Sequence, residues 1–378
     1  MNNRKNKFGK MEWAGAFGDL GTLIPYIVGY VTIAGIDALG ILFTFGIFLI
    51  VSGFIYKTPF PVQPMKAIGA VVITSGVAIT NGMIWFSGLF TGAFWLILGL
   101  SGVLKNIVKI VNKPVMKGII LSLGISFIMQ GTGKIQSNLV VGFVGLLIAI
   151  ILFSSKKIPL MFILLLYGVI AAMILNPALL QELVGIRPHF RLPMFNLALG
   201  QISRQDILRG ILILALPQIP LTLGNSVMAV TAENNRLFPD RPITEKKVSL
   251  TQGAMNIISP LFGGVPICHG AGGMAAQIRF GAKTGGAPII IGVILLILGL
   301  FFSESILSIL SFMPESVLGI ILLFAGLELA ISTRDVGRER KDFFIYIITA
   351  GFSLWNVGVG FLVGLFMQEV MKRNWLKP

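Results

Sequence analysis

Pro59-Phe60-Pro61-Val62-Gln63-Pro64-Met65-Lys66 and Gly263-Gly264-Val265-Pro266-Ile267-Cys268-His269-Gly270 are two proline-interrupted stretches, one in each half of the chain. Proline fixes φ and removes an amide donor, so each stretch is predicted to run extended. A short helix is expected after each, from about Met65 to Ser75 and from Ala271 to Ala282. The sequence therefore predicts two breaks in helical structure at corresponding places in the two halves. What these breaks imply depends on whether water or lipid surrounds the chain.

The rest of the chain is strongly apolar. Its 378 residues are 55% hydrophobic and 12% charged, with a mean hydropathy of +0.89, which leaves too little polar surface for a soluble globule. One crossing of a bilayer takes roughly 20 helical residues, so the length allows about 10 to 14 crossings. We predict an all-α polytopic membrane protein of about fourteen transmembrane segments, at 14–35, 38–56, 67–80, 83–104, 114–131, 138–154, 158–175, 207–232, 247–262, 270–282, 287–303, 315–332, 342–355 and 357–371.

The net charge of +15 is explained by topology. If the N-terminus is cytoplasmic, the inner loops receive all but five of the 30 basic residues, as the positive-inside rule requires. The outer side keeps Lys134, Arg187, Arg191, Arg204 and Arg209. We therefore expect a multi-pass protein of the inner cell membrane with both termini cytoplasmic, no removable signal peptide, a lipid bilayer as its partner, and no nucleic acid.

A polar interval with three prolines divides the segments into seven and seven. Halves with an odd number of crossings lie in opposite orientations, which is the geometry of an inverted-topology repeat. We predict a first repeat over 1–175 (segments 1 to 7), an outer-side linker over 176–206, and a second repeat over 207–378 (segments 8 to 14).

In this arrangement the two short segments meet at the midplane. Gly270 to Arg279 spans about 13 Å of helix, roughly half of the hydrocarbon thickness. Two facing helix N-termini would bring free amides and about half a positive charge each, which favours an anion. Gly270 and Gly272 leave the backbone open to close approach.

Three polar side chains at or near the breaks each have more than one interpretation. Lys66 begins the first short helix and either attracts substrate or is a structural or interfacial lysine. Gln63 either donates to an oxyanion or tethers the extended strand. Asp19, within the first apolar segment, is either an ion partner of Lys66, a proton carrier or a structural cap.

The remaining candidates are weaker. His269 is expected to hydrogen-bond near the second short helix, because the adjacent Cys268 points elsewhere and no third ligand follows for a metal. Gln218 and Asn225 in segment 8 either line a cavity or join helices. Arg279 is expected to be a cytoplasmic anchor. We expect no metal, no cofactor and no enzyme activity, since no Walker, zinc-protease or nucleophile-elbow motif is present.

Several uncommon motifs occur together and resemble the molybdate transporter family. They are Gly18-Asp19-Leu20-Gly21-Thr22, Pro61-Val62-Gln63-Pro64-Met65-Lys66, Leu237-Phe238-Pro239, Pro266-Ile267-Cys268-His269-Gly270-Ala271-Gly272-Gly273 and Gln277-Ile278-Arg279-Phe280-Gly281-Ala282. That family belongs to a wider sulfate permease group, whose fold is shared with uracil and xanthine permeases.

The resemblance implies a core domain of segments 1–4 and 8–11 and a gate domain of segments 5–7 and 12–14. The acidic residues of nucleobase permeases in segments 8 and 10 are missing here, which favours an anion, and we expect no C-terminal regulatory domain of the sulfate permease kind. The implied substrate site lies between the half-helices of segments 3 and 10 and against segments 1 and 8. It would comprise Asp19, Thr22, Gln63, Met65, Lys66, Ala67, Gln218, Asn225, His269, Gly270, Ala271 and Gly272.

We expect a secondary transporter that moves a tetrahedral oxyanion by alternating access. Molybdate is favoured and sulfate stays open, because both are tetrahedral dianions. Two other functions stay open: another anion permease of the same fold, and a membrane-embedded binding subunit without transport. A coupling proton or cation and a homodimeric assembly are also compatible with the sequence.

Overall fold

The computed structural model describes residues 5–74, 79–152, 160–331, 333–337, 339–373 and 375. The first half contains α1 (Lys10–Ala16), α2 (Leu20–Thr32), α3 (Ala38–Tyr56), β1 (Gln63–Pro64), α4 (Lys66–Thr74), α5 (Asn81–Ser101), α6 (Val103–Ile110), α7 (Lys113–Ile135), α8 (Leu139–Leu152), α9 (Leu160–Leu175) and α10 (Ala178–Gly185). The second half contains α11 (Arg204–Arg209), α12 (Leu216–Leu221), α13 (Thr231–Leu237), α14 (Glu245–Leu261), β2 (Ile267–Cys268), α15 (Ala271–Arg279), α16 (Gly286–Phe302), α17 (Ile306–Leu310), α18 (Glu315–Ile331), α19 (Arg340–Trp355) and α20 (Val357–Lys372).

The prediction of a helical membrane protein is confirmed. Within the described residues, five helical stretches are long and apolar enough to cross a bilayer: Ala38–Tyr56, Asn81–Ser101, Lys113–Leu152, Arg204–Leu237 and Gly286–Leu310. Every predicted apolar segment contains helix, and α3 matches its segment from end to end. Parts of four predicted segments, at 75–78, 153–154, 158–159 and 332, lie outside the described residues.

Two long stretches of helix are irregular where the site is built. A 3-10 turn over Phe17–Asp19 separates α1 from α2. In the second half, π-helical turns over Gly210–Ala215 and Thr222–Val230 flank α12, which contains Pro220. Proline removes an intrahelical hydrogen bond, and wide π-turns absorb the resulting shift. The irregular turns therefore fall beside Asp19, Gln218 and Asn225.

Close glycine contacts join elements of the first half to elements of the second. A methyl added at Gly131 would lie 2.6 Å from the carbonyl oxygen of Gly319, and one at Gly46 would lie 2.8 Å from that of Gly292. A methyl at Gly253 would lie 2.9 Å from the carbonyl oxygen of Gly92. These contacts bring α7 against α18, α3 against α16 and α14 against α5, because small residues let helix backbones approach.

The predicted linker is more structured than expected. It contains α10, and beyond that helix the amides of His189 and Arg191 donate to carbonyls at the end of α16 over 2.8 Å each. The Arg191 guanidinium also pairs with Asp37 at 2.6 Å. This stretch therefore binds the ends of α3 and α16 together.

Candidate functional site

The two proline-interrupted stretches form a two-stranded antiparallel ladder. Gln63 pairs with Cys268, and the amide of Met65 donates to the carbonyl of Pro266 over 2.9 Å. Helices α4 and α15 each begin three residues beyond the Gln63–Cys268 pair and run in opposite directions. The strand pair therefore fixes the starts of two half-helices close to each other.

Polar side chains of α14 hold the second strand. The Asn256 side chain accepts from the amide of Ile267 over 2.9 Å and donates to its carbonyl over 2.6 Å. The Gln252 side chain donates to the same carbonyl over 2.5 Å and accepts from the amide of His269 over 3.0 Å. Gln252 and Asn256 were not among the predicted site residues, although two carboxamides four residues apart in an apolar segment are the signal that indicates them.

Asp19 and Gln63 form a buried pair. Nε2 of Gln63 donates to both carboxylate oxygens, at 2.7 Å and 2.8 Å, and the two residues are 3% and 0% exposed. A methyl on Gly273 would lie 2.6 Å from the Asp19 carboxylate, so this glycine makes room for the pair in the first turn of α15. The suggested ion pair between Asp19 and Lys66 does not form among the described residues.

Gln218 and Asn225 cap the two half-helices. Oε1 of Gln218 accepts from the amide of Ala67 over 2.9 Å, and its Nε2 donates to the Thr222 hydroxyl over 2.9 Å. Oδ1 of Asn225 accepts from the amide of Ala271 over 3.2 Å. Both side chains are buried. One irregular helix therefore supplies an acceptor to the first turn of α4 and to the first turn of α15.

Lys66 differs from these residues because its ammonium makes no hydrogen bond or ion pair among the described residues. The residue is 9% exposed, and Nζ has no hydrogen-bond partner in the part of the chain that the structure describes. The ammonium lies 4.2 Å from the centroid of the Phe127 ring. A cation–π contact recovers roughly 0.5–2 kcal/mol, which is less than the several kcal/mol needed to remove an ion from water. Phe127 was not among the predicted site residues, because it comes from the distant helix α7.

A cavity of about 460 Å³ ends at Lys66. Its walls come from α2, α4, α7, α12 and α18 and from the turn between α19 and α20. Among the predicted site residues, Thr22, Lys66 and Ala67 line it. Asp19, Gln63, Gln218 and Asn225 instead contact the strand pair and the half-helix starts next to it.

The other predicted residues take different positions. Both ring nitrogens of His269 have protein partners, the Pro61 carbonyl at 2.8 Å and the Thr251 hydroxyl at 3.0 Å, so the ring fastens the strand pair to α14. Met65 is fully buried. A methyl on Gly270 would strike Oε1 of Gln63, a buried acceptor without a partner among the described residues.

The space beside Gly272 is already filled by protein. A methyl there would lie 2.7 Å from Cε2 of Phe127, so this glycine admits the aromatic ring that lies beneath the Lys66 ammonium. In the described ranges, no group of three or more His, Cys, Asp or Glu side chains is arranged to hold a metal ion.

Solved structures share this architecture. The transmembrane domain of a cyanobacterium bicarbonate transporter, BicA, matches with a TM-score of 0.59 at 17% identity, over 94% of this chain and 97% of that chain. The murine Slc26a9 anion transporter in the inward-facing state matches with a TM-score of 0.64 at 12% identity, over 99% of this chain and 70% of that chain. At these identities the likeness concerns the fold.

Sequence comparison identifies the family. "Molybdate transporter 2" of Arabidopsis thaliana is 32% identical, over 96% of this chain and 87% of its own length. The family model described as "Molybdate transporter of MFS superfamily" matches residues 11–127 and 210–329, which include both strands, both half-helices and the capping residues. The chain therefore belongs to the molybdate transporter family.

Proposed function

We propose that this protein is a secondary transporter that moves a tetrahedral oxyanion, molybdate in the first place and sulfate in the second, across the membrane. The observation that carries the proposal is the buried ammonium of Lys66, which lies at the closed end of a cavity and has no hydrogen-bond partner among the described residues. A buried cation without a partner is unfavourable, and a bound anion removes that penalty.

The charges around the cavity's closed end favour a dianion. Lys66 contributes one positive charge, and the N-termini of α4 and α15 each contribute about half a charge. Asp19 faces the amide of Gln63, which leaves the cation available to substrate. Phe127 gives the ammonium an aromatic wall without competing for it as a carboxylate would.

The proposed mechanism is alternating access between a core and a gate. The core would be segments 1–4 and 8–11, and the gate segments 5–7 and 12–14, within repeats over 1–175 and 207–378 joined by 176–206. An inverted repeat exchanges segment 2 with 9 and segment 4 with 11, so it relates the α3–α16 contact to the α14–α5 contact. Both contacts are made by facing glycines, which supports the proposal.

The membrane placement also belongs to the proposal. It comprises about fourteen crossings of the inner cell membrane, cytoplasmic termini, half-helices that meet at the midplane, and a coupling proton or cation. A homodimer is compatible with it. A binding subunit without transport would need the same anion site, so function must be decided by flux.

Uptake into liposomes tests the proposal. Purified protein should accumulate molybdate, with tungstate and sulfate as competitors. Lys66→Met should weaken molybdate affinity about ten- to hundredfold, since a charge-assisted contact contributes roughly 1.5–3 kcal/mol. Lys105→Met, at an exposed position of α6, is the matched loss of one charge and should change nothing. Binding without uptake would identify a binding subunit, and unchanged affinity in folded Lys66→Met would remove Lys66 from the site.

A further inference from the structure

One face of α7 carries a polar stripe along the wall of the cavity. We define the α7 stripe as Ser122, Ser126, Gln130 and Lys134, all of which line the cavity that ends at Lys66. Residues four apart lie on one face of a helix, and the stripe extends for about 18 Å at 1.5 Å per residue. Nε2 of Gln130 donates to the Ser126 hydroxyl over 2.9 Å, so neighbouring members are in contact.

Exposure along the α7 stripe rises from Ser122 to Gln130. Ser122 is 2% exposed, Ser126 is half-buried and Gln130 is exposed. Lys134 stands at the far end with its side chain 22% exposed. The cavity therefore opens at the Lys134 end and closes at the Lys66 end, so the stripe leads from solvent to the buried ammonium.

The lining residues also indicate which side the cavity faces. The lining residue Pro25 comes after Asp19 along the chain, and the lining residue Ala70 comes after Lys66. The lining residue Pro217 comes before Gln218, in a segment that is predicted to cross the membrane in the opposite direction. Under the predicted topology all three approach from the outer half of the membrane, and Lys134 is an outer-side residue. The geometry is that of a cavity open to the outside.

Lys134 forms an ion pair with a partner that is exposed to solvent. Its ammonium lies 3.5 Å from a carboxylate oxygen of Glu315, whose side chain is 65% exposed. An ion pair with such an exposed partner is weak, so an incoming dianion can replace Glu315 at little expense. The Ser126 hydroxyl and the Gln130 amide then provide neutral donors between the two lysines.

We propose that an oxyanion from the outside reaches the anion site along the α7 stripe. Lys134 is the first residue that binds the incoming oxyanion, and it is paired with Glu315 when no anion is bound. The inference rests on the proposed function for its substrate class. It assigns to Lys134 and Glu315 opposite effects on how readily a small anion enters the cavity.

Thiol labelling tests this without any transport measurement. Ser126→Cys places a thiol midway along the α7 stripe, and the parent chain gives the background, since its single cysteine, Cys268, is 2% exposed. Intact cells are treated with a membrane-impermeant anionic methanethiosulfonate or with a neutral one. The measured quantity is the ratio of the anionic to the neutral labelling rate.

Lys134→Gln should lower this ratio about three- to tenfold, because a focused positive field raises the local concentration of anions, and Glu315→Gln should raise it. Arg204→Gln removes an exposed charge from the same predicted face outside the cavity and should leave the ratio unchanged. The neutral rate should stay constant, which shows that the cavity keeps its shape.

Three results would overturn the inference: no labelling of Ser126→Cys from outside, an unchanged ratio in Lys134→Gln, or an equal fall in Arg204→Gln. Each is distinct from failure of the proposed function, which would appear as a parent protein that neither binds nor takes up molybdate or sulfate.

Discussion

Nε2 of Gln63 lies 2.7 Å and 2.8 Å from the two carboxylate oxygens of Asp19, with both side chains buried. The contact joins the broken first segment to β1 and fits against Gly273 of α15. A side chain that donates is therefore required at position 63 for as long as position 19 is a carboxylate.

Exchanging the two groups tests this dependence. Gln63→Glu places two carboxylates in contact without water, and the uncompensated buried charge should destabilise the protein by about 3–5 kcal/mol. Asp19→Asn combined with Gln63→Glu restores one donor and one carboxylate with reversed roles, and should recover at least half of the lost thermal stability in detergent. Gln201→Glu, at an exposed position, should have no effect. A double variant as unstable as Gln63→Glu would show that the contact is incidental.

A substitution at Asn225 can add a negative charge next to the half-helices while it keeps the hydrogen bond to the amide of Ala271. Asn225→Asp keeps an oxygen that can accept from the amide of Ala271, so α15 retains its cap. The new negative charge repels an oxyanion, by roughly 3 kcal/mol for unit charges about 6 Å apart at an effective dielectric constant of ~20. Molybdate affinity should fall at least about tenfold.

The matched control for this change is another capping asparagine. Asn112 accepts from the amide of Val115 over 3.1 Å at the start of α7, and aspartate caps helices as well as asparagine does. Asn112→Asp should leave affinity unchanged. Equal affinities for the Asn225→Asp protein and its parent would place the anion away from α15.

Asp335, in the loop between α18 and α19, gives a prediction about the pH dependence of stability. The side-chain hydrogen bond from Lys117 holds the pKa of the Asp335 carboxyl well below its ordinary value of 3.8, and Lys113 acts in the same direction. A lowered pKa in the folded state means that the ionised form stabilises the fold. This stabilisation is fully present above about pH 3.8 and declines as the pH falls below that value towards the folded-state pKa.

Asp335→Asn should therefore lower the apparent melting temperature by the same few degrees at pH 8 and at pH 5.5. The carboxylate is half exposed, which limits the effect, but the Lys117 side chain is only 7% exposed and would lose this ion pair. A difference between parent and variant that changes between these two pH values would indicate that another titrating group controls the region.

The topology is tested by reporters at two positions. The charge distribution predicts a cytoplasmic C-terminus at 378 and an outer location for Gly185, which ends α10 and has open space around it. A periplasmic-type reporter should be active after Gly185 and inactive at the C-terminus. Activity on the same side would contradict the division into seven and seven segments.

The parts of the fold that were predicted from the sequence are those determined by residues close together in the chain. The apolar runs place the helices, and α3 agrees with its predicted segment at both ends because Asp37 caps one end through the Leu39 amide. The prolines predict the extended strands and the short helices after them. The motifs predict the family, since those residues are uncommon in this order.

What the sequence did not predict depends on contacts between distant parts of the chain. Phe127 comes to lie beneath Lys66 only after α7 packs in place. The hydrogen bonds from His269 to Pro61 and Thr251 likewise need the folded strand pair and α14. The short helices α6, α10 and α17 were not predicted, because each is too short for a clear apolar period.

Gly272 gives the last prediction, because its neighbour distinguishes packing from anion binding. A methyl there would lie 2.7 Å from Cε2 of Phe127 and 3.0 Å from its Cζ, and overpacking of this kind destabilises by about 1–3 kcal/mol. Gly272→Ala should therefore lower thermal stability, and Phe127→Leu in the same chain should restore part of it. Gly351→Ala, where nothing lies within 4 Å, is the control for the substitution itself. If Phe127→Leu gives no recovery and molybdate affinity falls instead, the anion and not the aromatic ring occupies the space beside Gly272.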